Sequence, residues 1–207
     1  DGQAQDGAVE VVLDISGGVS LKSSLSVDEY RIADLDVVIY RDGLLEYSEY
    51  IPSMVPSLKV RLMEDCEYDI YVVANAGDMP AFARESDFQE NCLYAIDEIS
   101  DLQERLPMAW NCSGIKVVEG MEAIDVQLER LAAKITFSLD KNVLEGLDVT
   151  SVRLCQCASA VRPFKDTDAM GSRAVGVEEM IPGDWATEED LLRLNGGGSV
   201  VFYALEN

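Results

Sequence analysis

The sequence predicts a mainly β protein built from antiparallel β-sandwiches with one or two short helices. Three observations carry this prediction: many short segments alternate apolar and polar residues, turn-forming residues recur between them, and helical patterns are few. A series of short, one-sided strands is typical of sandwiches, in which two sheets bury their apolar faces against each other. The 207 residues suffice for one large domain or two small ones.

The first half of the chain contains most of the predicted strands. The first strand has apolar side chains at alternate positions, so that one face can be buried: Val9, Val11, Leu13 and Ile15. Further strands are predicted over residues 35–40, 58–63, 68–74, 115–118 and 123–128. Residues 87–106 carry apolar side chains at helical spacing, and Pro107 ends the helix that this spacing predicts.

The second half contains fewer predicted strands, over residues 130–139, 149–158 and 200–205. Thr187 is followed by three acidic residues, a pattern that predicts the start of a short helix. The glycines at 196–198 predict where this helix ends.

A domain boundary is predicted near Arg130, where one group of strands ends and the next begins. We therefore expect a flexible acidic tether over residues 1–8, an N-terminal β-sandwich domain over residues 9–129 and a second β-sandwich domain over residues 130–207. The second group has few strands, so this sandwich is expected to be small or incomplete.

The charge balance excludes several classes of protein. With 39 acidic and 16 basic residues, the net charge is -23, which repels phosphate backbones and anionic lipid headgroups. Nucleic acid is therefore not an expected partner, and no apolar run is long enough for a membrane helix. The apolar content of 48% is too high for a disordered acidic tail.

The composition also argues against catalysis. The chain has no histidine, so the commonest general base and metal ligand is absent, and we expect no enzyme, cofactor or metal site. A carboxylate pair, as in glycoside hydrolysis, is the one catalytic arrangement left open. The five cysteines are odd in number and irregular in spacing, which favours free, partly buried thiols, with one disulfide among the first three left open. Cys155 and Cys157 would share one face of an extended strand and are expected to be small core residues.

Two acidic clusters could in principle bind calcium. They are Asp34 with Asp36, and Asp65 with Glu67 and Asp69. Neither cluster has the six to eight oxygens and the glycine turn that a calcium loop uses, so solvated strand faces are the expected arrangement. Residues 75–78 (NAGD) predict a turn that leaves a strand.

The two tryptophans, Trp110 and Trp185, are the candidates for stacking against a ligand such as a sugar ring. Ordinary packing in the core or at a sheet edge is the competing interpretation of both residues.

Four segments, in this order and at these separations, resemble the fimbrillin-like proteins of Bacteroidales. They are residues 71–78 (YVVANAGD), 130–135 (RLAAKI), 194–197 (LNGG) and 202–207 (FYALEN). The resemblance spans the chain from about Val9 to Asn207. It implies two transthyretin-like β-sandwiches, the second starting near Arg130 and lacking strands, because family members continue beyond the last of these segments.

The family consists of type V pilus subunits and related surface lipoproteins. The resemblance therefore implies export and a location at the cell surface, in a fimbrium or at the outer membrane. The chain starts with Asp1, which suggests a processed or engineered start at which an export signal is already gone. The first cysteine is Cys66, so the sequence has no lipobox cysteine, and membrane contact is expected only through a lipid anchor that is missing here.

The resemblance further implies assembly by strand exchange. A protease removes the first strand, and an extended strand of another pilus subunit fills the groove. The exchangeable strand would be Val9 to Ile15, and the candidate cleavage sites are Lys22 and Arg31. We accordingly expect a structural or adhesive fimbrial subunit with other pilus subunits as partners. The alternative is a surface lipoprotein that does not polymerise and binds a glycan or host ligand.

Overall fold

A computed structural model describes residues 7–17, 31–140, 146, 148–164, 174–175 and 185–205. The strands are β1 (Ala8–Gly17), β2 (Leu35–Arg41), β3 (Leu44–Ile51), β4 (Ser57–Met63), β5 (Glu67–Ala74), β6 (Tyr94–Ala95), β7 (Met108–Lys116), β8 (Ile124–Arg130), β9 (Ala132–Ser138), β10 (Ala160–Val161), β11 (Ala174–Val175) and β12 (Ser199–Leu205). The helices are α1 (Glu85–Asn91), α2 (Asp101–Glu104) and α3 (Glu188–Asn195). The predicted mainly β class is confirmed.

The chain forms two compact units. The first contains Asp1–Cys92, Arg105–Arg130 and Pro163–Lys165, and the second contains Leu93–Glu104, Leu131–Arg162 and Asp166–Asn207. Each unit is therefore assembled from separate stretches of sequence. The division into two sandwich domains at residue 130 stays a prediction.

The first unit is organised around a seven-stranded sheet with the order β3-β2-β5-β7-β8-β1-β4. Strands β7 and β8 are joined only where Met108 faces Arg130 and Ala109 faces Glu129. At this narrow junction the sheet divides into one portion formed by β3, β2, β5 and β7 and another formed by β8, β1 and β4. The inward side chains of both portions belong to one apolar core.

That core follows from strand alternation. In β1 and β4 every second residue is buried, whereas β2 and β5 are buried almost throughout because both of their faces are covered. The second face of β2 and β5 carries Tyr40 and Tyr71, which pack against Phe88 of α1 and against Phe164.

Strands β2 and β3 form a hairpin. Asp42 and Gly43 both have positive φ angles, 52° and 72°, as a two-residue turn of the type I′ class requires. An Asp-Gly pair after an apolar run is a recognisable hairpin signal in the sequence, but the strand after it, β3, was missed. Its exposed face carries several polar side chains and a bulge interrupts its pairing with β2, so its sequence pattern is weak.

The second unit contains two small sheets. Strands β9 and β12 pair antiparallel, and β10 lies between β6 and β11, antiparallel to both. Helix α3 begins with the expected capping box, in which the Thr187 hydroxyl oxygen accepts from the Asp190 amide and the Asp190 carboxylate accepts from the Thr187 amide. Leu194 of α3 packs with Val200 and Phe202 of β12 in a separate core.

Three predictions of local structure were wrong. The single helix expected over residues 87–106 is replaced by α1 and α2, with β6 between them. The apolar residues of this stretch are shared between two units and therefore do not form the apolar face of one helix. Residues 149–158 form no regular strand. Gln156 has a positive φ angle, so Cys155 and Cys157 do not share one face: Cys155 is exposed and Cys157 is buried. The pairing of β1 with β8 is parallel, so the sheet is not antiparallel throughout.

We expect Leu13→Ala to lower the free energy of unfolding by about 2–5 kcal/mol, because Leu13 is fully buried and its truncation leaves a cavity. Leu44→Ala is the matched control, since Leu44 is 57% exposed in the same unit. Its effect should stay within about 0.5 kcal/mol. Urea unfolding followed by circular dichroism measures both, and similar losses in the two variants would contradict the position of β1 in the core.

Candidate functional site

The candidate site is the position that β1 occupies inside the sheet. Strand β1 lies between β4, to which it is antiparallel from Ala8–Met63 to Asp14–Ser57, and β8, to which it is parallel from Leu13–Ile124 to Gly17–Leu128. Among the described strands, β4 is the last of the sheet, and β1 is its one strand neighbour. Strand β1 therefore holds β4 to the rest of the unit.

The predicted exchangeable residues lie in this position. Val11, Leu13 and Ile15 have exposed fractions of 0%, 0% and 5%, and Val9 is half-buried against the same core. Their removal would open a groove lined by apolar side chains of the neighbouring strands, Val60, Leu62, Val126 and Leu128. An extended segment with apolar residues at alternate positions is the ligand that such a groove fits.

Hydrogen bonds at both ends keep β1 in its register. The Glu64 amide donates to the Gly7 carbonyl oxygen at 2.8 Å, and the Ile15 amide donates to the Pro56 carbonyl oxygen at 2.9 Å. The Ser16 hydroxyl adds a bond of 3.3 Å to the Val126 carbonyl oxygen. These contacts are made largely by the backbone, so another strand could form most of them.

The segment before β2 is docked on a buried asparagine. Asn75, which is 4% exposed, donates from Nδ2 to the carbonyl oxygen of Arg31 at 2.8 Å and accepts at Oδ1 from the Ala33 amide at 2.7 Å. Its Nδ2 also donates to the Leu106 carbonyl oxygen at 2.9 Å. Ile32, between the two docked residues, is 8% exposed and belongs to the core.

The hydrogen bonds from Asn75 to residues 31 and 33 restrict protease access to Arg31, one of the two candidate cleavage sites. The bond after Arg31 lies between a carbonyl group held by Asn75 and a buried Ile32, and a fixed, buried backbone is a poor protease substrate. The other candidate, Lys22, lies outside the described residues.

The turn predicted over residues 75–78 is confirmed, and Asn75 and Gly77 have the positive φ angles of 62° and 72° that such a turn accommodates. The role of Asn75 as a buried polar centre was missed. An asparagine that directly follows the apolar run of β5 is the signal that could have revealed it.

The expectation of solvated aspartates was wrong for Asp34 and Asp36, which are only 3% and 4% exposed. Asp34 is compensated, because its carboxylate accepts from the Gly77 amide at 3.1 Å and from Nη1 of Arg105 at 3.3 Å. Asp36 accepts at Oδ1 from the Met79 amide at 3.3 Å, whereas its buried Oδ2 has no hydrogen-bond partner in the described part of the chain.

The environment of Asp36 opposes its ionisation. Burial raises the pKa of Asp36 to about 7, and the negative charges of Asp78 and Asp34 act in the same direction, while the bond from the Met79 amide acts against them. The described residues contain no group of three or more acidic or cysteine side chains arranged to hold a metal ion. Asp65 and Glu67 of the other cluster are exposed, and Asp65 pairs with Lys116 at 3.0 Å.

The two tryptophans lie in different environments. Trp110 is half-buried in β7 and packs against the core of the first unit. Trp185, in the second unit, is 56% exposed, and the guanidinium carbon of Arg153 lies 5.0 Å from its ring centroid. Of the two, Trp185 has the geometry of a stacking residue.

All five cysteines are free thiols. Cys92 is fully buried in the first unit, where burial and the nearby Asp36 raise its pKa to about 12. A thiol in this environment is unreactive at neutral pH. No described helix has both the length and the apolar character needed to cross a membrane.

Comparison with solved structures identifies the fold. A fimbrial assembly protein from Parabacteroides distasonis has a TM-score of 0.61 and 16% identity, over 97% of this chain and 77% of that protein. A protein described as a candidate cell adhesion protein from the same species has a TM-score of 0.64 and 17% identity, over 97% and 71%. A fimbrial anchor protein from Porphyromonas gingivalis has a TM-score of 0.55 and 12% identity, over 97% and 74%.

The resemblance to fimbrillin-like proteins is therefore confirmed at the level of the fold: this chain shares the fold of fimbrial and adhesion proteins of Bacteroidales. No family model and no curated protein matches the sequence.

We expect Asp36→Asn to stabilise the protein above pH 7 by about 2 kcal/mol and to have little effect below pH 4. Because the folded-state pKa of about 7 lies above the ordinary value of 3.8, the native protein binds an extra proton between these values. The associated stability is complete below pH 4 and is lost as the pH rises through 7.

Unfolding by urea at pH 4, 5.5, 7 and 8.5 measures this difference, with Glu122→Gln, at an exposed position of the same unit, as the control. The advantage of Asp36→Asn over the parent should grow with pH. A constant difference at every pH would contradict a raised pKa at Asp36.

Proposed function

We propose that this protein is a structural or adhesive fimbrial subunit of the bacterial surface and that it assembles by β-strand exchange. The observation that carries the proposal is the position of β1, an N-terminal strand that lies inside the sheet between β4 and β8. Once the connection between β1 and β2 is cut, β1 can leave this position without threading the remaining strands of the unit through the fold. The fold shared with fimbrial proteins supports the same function.

The groove suits a strand and little else. Its floor is apolar, β4 offers backbone donors and acceptors along the places of residues 8–14, and β8 offers them along the places of residues 13–17. The partners in this proposal are other pilus subunits, and the location is the outer-membrane surface or the fimbrium after export through a lipidated precursor.

Maturation requires a cut between β1 and β2, where the basic residues are Lys22 and Arg31. We propose Lys22 as the cleavage site, because Asn75 and the core hold the backbone on both sides of the Arg31–Ile32 bond. After the cut, β1 would remain in the groove until another strand displaces it.

Within the segment between β1 and β2, limited trypsin digestion of the full chain should therefore cut after Lys22 before it cuts after Arg31. Lys22→Gln should slow cleavage in this segment at least tenfold, whereas Arg31→Gln should have little effect. Mass spectrometry of the products identifies the bond. A first cut after Arg31 would contradict the assignment.

Strand exchange itself is tested with a fluorescent peptide that copies residues 7–17. The trypsin-cut protein should take up the peptide, and the uncut chain, whose β1 is covalently attached, serves as the control. Gel filtration detects the bound label. Failure of the cut protein to bind the peptide, together with release of its own β1, would contradict assembly through this groove.

A second candidate function is the binding of a glycan or host ligand, which the exposed Trp185 beside Arg153 favours. A sugar ring can stack on an exposed indole. Trp185→Ala should then weaken binding to any glycan selected on an array about tenfold, or about 1.4 kcal/mol. Trp110→Phe, which keeps an aromatic ring against the core, is the control. Equal binding by Trp185→Ala and the parent would contradict this function.

A further inference from the structure

The exposed face of the β1 position carries an uneven distribution of charge. On one side, Lys59 and Arg61 of β4 are exposed, and their backbone positions lie opposite Val12 and Glu10 of β1. Nζ of Lys59 lies 2.7 Å from Oε1 of Glu10, with exposed side-chain fractions of 65% and 56%. One end of the position is therefore cationic in a protein whose net charge is -23.

The other end of the same position is anionic. Asp14 of β1 lies beside Asp125 of β8 and opposite Ser57 of β4, and both carboxylates are exposed. Like charges at neighbouring strand positions are destabilising. Further along, Ser16 lies beside Gln127, which is uncharged and donates from Nε2 to Asp125 at 2.5 Å. The charge of β1 is therefore complementary to that of its neighbours at Glu10, and it is the same as that of its neighbour Asp125 at Asp14.

We propose that the charges of Lys59, Arg61 and Asp125 select the strand that occupies this position. They favour a strand with a carboxylate at the place of Glu10 and a neutral or basic residue at the place of Asp14. This inference rests on the proposed strand exchange, and it specifies the chemistry of the partner strand.

The apolar floor cannot make this selection alone. Alternating apolar residues determine which face of a strand is buried, because a slip of one residue turns every side chain to the other face. Strands that share this alternation bury similar surfaces, whatever their exposed residues are. The exposed face carries the difference between such strands, with cations opposite the places of residues 10 and 12 and an anion beside the place of residue 14.

The effect of these local charges on peptide binding can be distinguished from the effect of the net charge of the whole protein. A net charge of -23 favours any peptide with added positive charge, wherever the charge is placed. The proposed selection favours negative charge at the place of Glu10 and disfavours it at the place of Asp14, four residues later. Because salt screens exposed charges over about 8 Å at 0.15 M ionic strength, contacts of the Lys59–Glu10 kind outweigh the distant charges there.

The experiment uses the full chain cut after Lys22 and labelled peptides that copy residues 7–17 with single changes. At 0.15 M salt, the peptide with Glu10→Lys should bind about three- to tenfold more weakly than the parent peptide, and the peptide with Asp14→Asn about threefold more tightly. The control peptide, Ser16→Lys, adds a positive charge beside Gln127 and should bind as well as the parent or slightly better.

Charge reversal in the protein provides the complementary test. In the Lys59→Glu, Arg61→Glu double variant, the order should invert, so that the Glu10→Lys peptide binds more tightly than the parent peptide. Equal binding of all peptides by the parent protein, or tighter binding of the Glu10→Lys peptide, would overturn the selection while leaving strand exchange intact. If no peptide replaces β1, strand exchange fails and the selection of a partner strand fails with it.

The uncut chain gives a readout that does not depend on exchange. Glu10→Lys in this chain should lower the melting temperature by about 2–4 °C, and combining it with Lys59→Glu and Arg61→Glu should restore most of that loss. A melting temperature in the triple variant no higher than in Glu10→Lys alone would also overturn the proposed charge match.

Discussion

The pairing of β1 with β4 along residues 8–14 and with β8 along residues 13–17 is the constraint on which the first unit depends. Strand β4 has no other strand neighbour in the described sheet, and β8 meets β7 at only one short junction. Burial of Val11, Leu13 and Ile15 contributes about 1.5–3 kcal/mol each, so their sum is comparable with the whole stability of a typical domain. The position of β1 must therefore be filled, either by β1 or by a strand of similar chemistry.

The interactions that hold a strand in this position differ from those that distinguish one strand from another. Apolar burial and backbone hydrogen bonds supply most of the binding energy, but any alternating apolar strand can provide them. The exposed charges of β4 and β8 contribute little to the binding free energy. They differ from place to place along the groove, so they can distinguish between strands. Lys59 and Arg61 also place charge on the edge strand of the sheet, a common protection against unwanted edge-to-edge pairing.

The start of β2 shows how the fold secures the chain that follows β1. Asn75, Asp34 and Asp36 are buried polar residues at one end of the sheet, and Asn75 alone binds the backbone of residues 31, 33 and 106. Asp34 is compensated by Arg105, whereas Asp36 retains a buried oxygen without a partner. Stability at neutral pH is consequently lower than the apolar core alone would provide, while the entry into β2 is firmly anchored.

Local sequence by itself determined the strands with strict alternation, such as β1, the Asp42-Gly43 turn and the capping box at Thr187, because these features depend on neighbours within a few residues. The tertiary structure decided which strands are adjacent, including the parallel pairing of β1 with β8, since partners more than 100 residues apart leave no local pattern. It also decided that Asp34 and Asp36 are buried, that residues 87–106 divide between two units, and that Trp110 packs inward while Trp185 is exposed. Burial is a property of what covers a residue, and the covering segments come from distant parts of the chain.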